Sequence, residues 1–187
     1  MKWSRLIAVS TDRLQLRALT AADLLALRDG DAQFRTVSGL VAAEGLRGFL
    51  VSDDVSPAWL DRLRVSVGPD VWHFGFGVVE RASGIVVGAS GYKGPPDDLG
   101  VVEIAYGIVP SRQRRGYATE VAGALVQFAS ADARVRRIIA HTLPEPNAST
   151  RVLTKCGFEH VGAVEDPEDG LVWRWERDPE AGARANV

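Results

Sequence analysis

The apolar spacing of this chain changes abruptly around residue 113. Upstream, the run Val101–Val109 alternates, with Ile104, Tyr106 and Ile108 on one side and Glu103, Ala105 and Gly107 on the other. That is the period of a half-buried strand. Downstream, Val121, Leu125, Phe128 and Ala129 recur at i, i+4, i+7 and i+8, the stripe of an amphipathic helix from about Tyr117 to Ala131. Between them lies Gln113-Arg114-Arg115-Gly116-Tyr117-Ala118-Thr119-Glu120. A strand that turns through a glycine into a one-striped helix commits the chain to a sheet with helices on its faces.

The remaining elements fit that architecture. Arg13–Leu19 alternates as a strand, and Thr20 caps a helix carrying Asp23 in its first turn and Leu24, Leu25 and Leu27 on its apolar side. Val71–Glu80, Ile85–Tyr92 and Val101–Val109 read as successive strands, the first two joined by Ser83-Gly84. Arg137–Leu143 is a further strand, and Ser149–Cys156 a short helix stopped by Gly157. Phe158–Glu165 and Leu171–Glu176 close the chain as a hairpin. Residues 31–70 carry the least pattern, with helical fragments at Ala43–Leu50 and Pro57–Val65. The expectation is one mixed α/β domain over residues 1–177, its sheet of about seven strands flanked by helices, with 178–187 a frayed tail.

Composition bounds the chemistry. The 187 residues carry a net charge of −2, which gives no global field for nucleic acid or anionic membrane. Cys156 is the only cysteine, so no intrachain disulfide forms and a reducing, cytoplasmic setting is expected. The start has no secretory pattern, and no apolar run approaches the ~20 residues of a membrane span. Three scattered histidines and one cysteine make no metal site.

Chemistry concentrates at three places. A glycine-centred turn opening a helix lets backbone approach an anion closely and points unpaired N–H groups at it. Arg112, Arg114 and Arg115 add charge, although Arg-Arg-Gly alone would be an ordinary basic turn. Glu103, beside Ala105 and Gly107, is either a solvated strand residue or a general base acting directly or through water. In Pro144–Thr150, Asn147 or Ser149 serves as a helix cap; alternatively the Asn147 amide holds a ligand and the Ser149 hydroxyl faces a leaving group. His141 and Cys156 read as packed residues, and Tyr92 and Tyr106 as core positions able to reach a substrate. Trp72, Phe74, Trp173 and Trp175 read mostly as core or sheet-face aromatics, some able to wall an acceptor pocket, and tryptophans exposed near the closing hairpin would serve a dimer contact.

Three segments together resemble the GNAT superfamily of N-acyltransferases, in particular its RimJ/RimL-type branch. Thr11–Arg17 is similar to the branch's opening strand. Val102–Ile108, followed by Gln113-x-x-Gly116-x-Ala118 and Thr119-Glu120, is similar to its fourth strand and acyl-CoA loop. Asn147–Phe158 resembles its Asn…Ser-x-Arg-Val-Leu-x-Lys-x-Gly-Phe signature. The resemblance implies a fold with splayed fourth and fifth strands. It implies acetyl-CoA as acyl donor, with no metal. Gln113, Arg114, Arg115, Gly116, Tyr117, Ala118 and Thr119 would hold the pyrophosphate, Ile108 and Val109 the pantetheine amides, and Asn147 the pantetheine arm. A backbone N–H near Val109 would meet the oxyanion, Glu103 would act as base, and Ser149 would assist thiolate departure.

Two departures stand out. Leu153 occupies the place where many members of the superfamily carry a tyrosine general acid, and Asn147 stands one residue nearer Ser149 than is usual in the branch. The implied reaction is acyl transfer to a small-molecule or protein N-terminal amine, by a monomer or homodimer. A non-catalytic acyl-CoA sensor is the alternative, and succinyl-CoA the alternative donor.

Overall fold

The computed structural model describes residues 7–51, 57–66, 68–167 and 169–179. The tail expected beyond residue 177 lies almost wholly outside them. The alternating segments pair into a single nine-stranded sheet. In chain order the strands are β1 (Ala8–Ser10), β2 (Leu14–Ala18), β3 (Val41–Ala42), β4 (Phe76–Glu80), β5 (Ile85–Tyr92), β6 (Val101–Ile108), β7 (Arg137–Thr142), β8 (Glu159–Asp166) and β9 (Gly170–Arg177). Their spatial order is β1-β2-β4-β5-β6-β7-β9-β8, with β3 lying parallel to the start of β5. Every neighbouring pair on the main path is antiparallel except β6 and β7.

Seven strands fall where the alternation predicts them. The two additions, β1 and β3, are three and two residues long, too short for a period to register. One boundary moves: the strand expected from Val71 begins at Phe76. Asp70 reverses the chain first, its carboxylate accepting from the Trp72 and His73 N–H groups and its carbonyl from Phe74 N–H. Such aspartate-headed turns override an apolar run.

Helices α1 (Ala21–Asp29), α2 (Asp31–Ser38), α3 (Gly48–Val51), α4 (Pro57–Val65), α5 (Tyr117–Ser130) and α6 (Ala148–Lys155) cover the sheet. Thr20 and Asp23 form a reciprocal capping box on α1. At the end of α6, Gly157 is left-handed at φ 76°. Phe158 N–H donates to Leu153 O and Gly157 N–H to Thr154 O, a Schellman closure that brings Phe158 onto Leu153 in the core. The α5 stripe packs as expected: Val121, Leu125 and Ala129 are fully buried, and Phe128 stacks with Trp72, Phe76 and Tyr92.

Candidate active site

The site begins where β6 and β7 part. Their parallel ladder runs only from Val101↔Arg137 to Glu103↔Ile139, so the rest of β6 has β5 on one side and an opening on the other. Lys93 N–H donates to Glu103 O and Val109 N–H to Val87 O, each at 3.0 Å. An antiparallel ladder alternates, so the backbone groups of Tyr106 and Ile108 are turned toward the opening. This corrects the expectation for Val109, whose N–H is already spent within the sheet and whose side chain is fully buried. The Ile108 carbonyl accepts from Gln113 Nε2 at 2.9 Å, which fastens the following loop to the strand.

That loop turns on two left-handed residues, Arg114 at φ 59° and Gly116 at φ 80°. Gly116 starts α5 with no side-chain cap, and the first intrahelical bond runs from Glu120 N–H to Gly116 O. The first-turn N–H groups are thereby left for an outside acceptor. Arg13 braces the turn from β2's approach, donating to the Arg115 carbonyl at 2.8 Å and pairing with Glu120 at 2.7 Å. Tyr117 donates to Glu80 at 2.7 Å. Bonds from Ser83 and then Tyr117 hold the Glu80 carboxyl below its ordinary value, and the same carboxylate lifts the Tyr117 phenol. Burial pushes Glu120 upward, yet bonds from Thr11 and Arg13 outweigh it and leave it lowered.

A cleft of about 490 Å³ runs along this loop, between β6 and α6. Ile108, Gln113, Arg114, Gly116, Tyr117, Ala118 and Thr119 line it, together with Arg112, Ser149, Arg151 and Lys155. Arg115 does not line it, and Arg112 Nε lies 3.8 Å from Glu80. Asn147 does not line it either. Its side chain accepts from Thr150 N–H at 3.0 Å, and Thr150 Oγ1 accepts from Asn147 N–H at 3.1 Å. The residue is a helix cap.

At the apex of the opening, Glu103 is not free. Its Oε1 lies 3.2 Å from Lys93 Nζ and 3.1 Å from His141 Nδ1. Burial pulls the Lys93 ammonium down, but the charge and hydrogen bond of Glu103, with the charges of Asp166 and Asp169, together outweigh it and hold it raised. The His141 approach lacks hydrogen-bond alignment, and both ring nitrogens are buried without a partner. These three residues line a second opening of about 340 Å³ that also reaches Tyr106 and Ser149. Leu153 is fully buried. Burial raises the Cys156 thiol, which suits a packed cysteine rather than a nucleophile.

A third cleft of about 480 Å³ opens on the other side of β6, walled by Phe49, Trp59, His73, Phe74, Tyr92 and the small residues Gly91, Ala105 and Gly107. Phe49 lies over Gly107: a Cβ there would come within 3.2 Å of its ring. Trp59 Nε1 donates to His73 O at 2.6 Å, and His73 Nδ1 meets Asp70 at 2.7 Å. Among the described residues no cluster of His, Cys, Asp or Glu could hold a metal ion, and no helix is long and apolar enough to cross a membrane.

The model of the GNAT acetyltransferase domain family matches residues 13–159. The chain belongs to the GNAT family. The N-acetyltransferase YjdG of Bacillus subtilis is 33% identical over 81 residues, 43% of this chain and 48% of that one. The matched stretch thus spans about half the length of the curated relative. Solved GNAT structures superpose over nearly the whole chain. RimL, an alpha-N-protein acetyltransferase in complex with coenzyme A, gives a TM-score of 0.62 at 14% identity, covering 92% of this chain and 98% of its own. AAC(6′)-Ib in complex with ribostamycin and coenzyme A gives 0.62 at 21% identity, covering 94% and 99%. At these identities the superpositions speak for the fold.

Several residues that line these clefts escaped the sequence reading. Arg151 and Lys155 were visible as an i, i+4 cationic pair on the helix after the Asn147 loop, facing the same cleft as the Gly116 turn. Phe49, Lys93 and His141 offered no such signal, because each reaches the site from a different element.

Proposed function

We propose that this domain transfers an acetyl group from acetyl-CoA to a primary amine within a ternary complex. One observation carries the reading: the cationic cleft along the Gly116 turn and the aromatic cleft meet across Tyr106 and Gly107. An extended anionic donor in one and an amine in the other would bring nucleophile and thioester together, and positioning of this kind is the larger part of aminolysis. Arg112, Arg114, Arg151, Lys155 and the first turn of α5 would hold the phosphates. Backbone groups of Tyr106 and Ile108 would pair with the pantetheine and meet the developing oxyanion.

The incoming ammonium must lose a proton before it attacks. Glu103 is the carboxylate nearest the apex, and a water between it and the amine would carry that proton away. Lys93 orients the Glu103 carboxylate. Ser149 faces both the donor cleft and the apex, as a group assisting the leaving sulfur must. The RimJ/RimL-type branch is supported by the likeness to RimL, an alpha-N-protein acetyltransferase. The aromatic walls favour an amine carried beside an apolar or aromatic group.

Thermal unfolding with saturating acetyl-CoA, and with ATP as phosphate control, tests the donor. At about 100 times Kd the ligand adds roughly 2.7 kcal/mol, a rise on the order of 5–10 °C for a domain this size. Thiol release from acetyl-CoA is then followed with an alanine-initiated peptide, phenethylamine, spermidine and kanamycin. Binding with turnover of at least one amine is the expected result. Binding with no turnover would establish a sensor instead, and no selective shift would sink the CoA assignment.

A further inference from the structure

Tyr106 occupies a position no other described residue shares: it lines all three openings of the site. Strand alternation groups it with Ile104 and Ile108, which are buried against the helices. Tyr106 sits instead where β7 has left β6, at the junction of the donor cleft, the aromatic cleft and the Glu103 apex. Its hydroxyl is buried and has no hydrogen-bond partner of full geometry. Leaving such a group unpaired is costly, and a buried unpaired hydroxyl calls for an explanation, a catalytic role among them. By contrast, Tyr92 and Tyr117 spend theirs on Leu125 O and Glu80, each at 2.7 Å.

Building on the acetyl-transfer reading, we propose that Tyr106 is a catalytic residue whose hydroxyl, together with Ser149, passes the proton of the attacking amine to the departing CoA sulfur. Nitrogen attack forms the C–N bond and leaves a positively charged nitrogen. As the C–S bond breaks, that nitrogen gives its proton to the Tyr106 hydroxyl, which reaches the aromatic cleft, Tyr106 gives its own to Ser149 Oγ, and Ser149 gives its own to sulfur in the donor cleft. Each hydroxyl ends as it began, and the thiol leaves neutral. Burial, and then the Cys156 thiol, push the Tyr106 phenol up, while the Ser149 hydroxyl pulls the other way. A phenol so raised is a poor source of a free proton, because full transfer to a thiolate would run uphill. A relay in which the phenol gains a proton as it loses one avoids that charged state.

The test compares wild type with Tyr106→Phe, Ser149→Ala and the double variant, using the best acceptor found above. Tyr106→Phe should lower kcat by roughly 100-fold, within the range of positioned proton transfer. Its Kd for acetyl-CoA should stay within threefold. Its melting temperature should hold or rise, since no hydrogen bond is lost. The double variant should be little worse than the poorer single variant, because one relay is broken only once. A kcat within threefold of wild type, a change confined to KM, or additive losses would overturn the proposal while leaving acetyl transfer intact. If wild type binds acetyl-CoA yet acetylates none of the four amines, the acetyl-transfer reading falls and the relay falls with it.

Discussion

The two walls that meet across Gly107 are built differently. The donor wall is tied by charged hydrogen bonds between distant segments: Arg13 and Thr11 to Glu120, Arg13 to the Arg115 carbonyl, and Tyr117 to Glu80, which Ser83 also holds locally. The aromatic wall is made of α3, α4 and the Asp70 turn, held mainly by ring packing such as Trp59 on Phe74 and by single bonds such as Trp59 to His73. A polyanion needs donors fixed before it arrives, since electrostatic stabilisation works without reorganisation only when the donors are preset. A pocket walled by rings has no such requirement. The lesson is that cross-linking by charged bonds is densest where charge would be met.

Substitutions on either side sharpen this contrast. The largest effect is expected at the seam: Gly107→Val drives a branched side chain into the Phe49 ring. Acetyl-CoA turnover should fall by about 100-fold or more, because small misplacements at a reacting centre cost that much. Turnover close to wild type would mean the clefts do not meet there.

On the donor wall, Glu120→Ala removes the acceptor of Arg13 and Thr11. Bonds to charged groups contribute about 1.5–3 kcal/mol each before solvent competition, and Arg13 is half exposed, so a loss of about 2 kcal/mol and 4–8 °C is expected. Calorimetry decides it, and an unchanged melting temperature would show the brace to be idle.

Acid should act on the same wall. Glu80 and Glu120 are both lowered in the folded state, so the unfolded chain takes up their protons first as pH falls. Their contribution is complete above the unfolded value of about 4.3 and is lost as pH drops through the lower folded values. Melting temperature measured from pH 7 to pH 3 should therefore fall mainly below about pH 4.5. Glu80→Gln should flatten that fall, and an equally steep curve would remove Glu80 from the account.

The smallest effect is expected at Asn147. Asn147→Ala should cost about 1 kcal/mol, the usual value of a cap, with acetyl-CoA affinity changed less than threefold. A tenfold loss of affinity would restore the binding role that the Asn147 loop suggested.

The donor side was largely legible along the chain because its determinants are local. The switch of period around residue 113, the glycine of the turn and the stripe of α5 lie within one stretch, and hydrogen bonding within that stretch sets its geometry. The family resemblance rested on the same local pieces, and the family is confirmed. Capping was local too, and the choice left open between a cap and a ligand at Asn147 fell to the cap. Thr150 follows at the third helical position, and a reciprocal box satisfies two orphan N–H groups at once.

What the sequence by itself determined was the seven longer strands, the helices after Thr20, Gly116 and Asn147, the Gly116 turn and the face of β6 that carries Glu103. Only the tertiary structure decided what those residues meet. Lys93 reaches Glu103 from the end of β5 and His141 from β7. Phe49 covers Gly107 from α3, and the parting of β6 and β7 after Glu103 leaves the Tyr106 hydroxyl at the junction of three openings. Periodicity reports which face of an element is apolar, because burial of that face is a property of the element alone. Which side chain from a distant element fills a gap depends on where the sheet opens, and no local spacing encodes that.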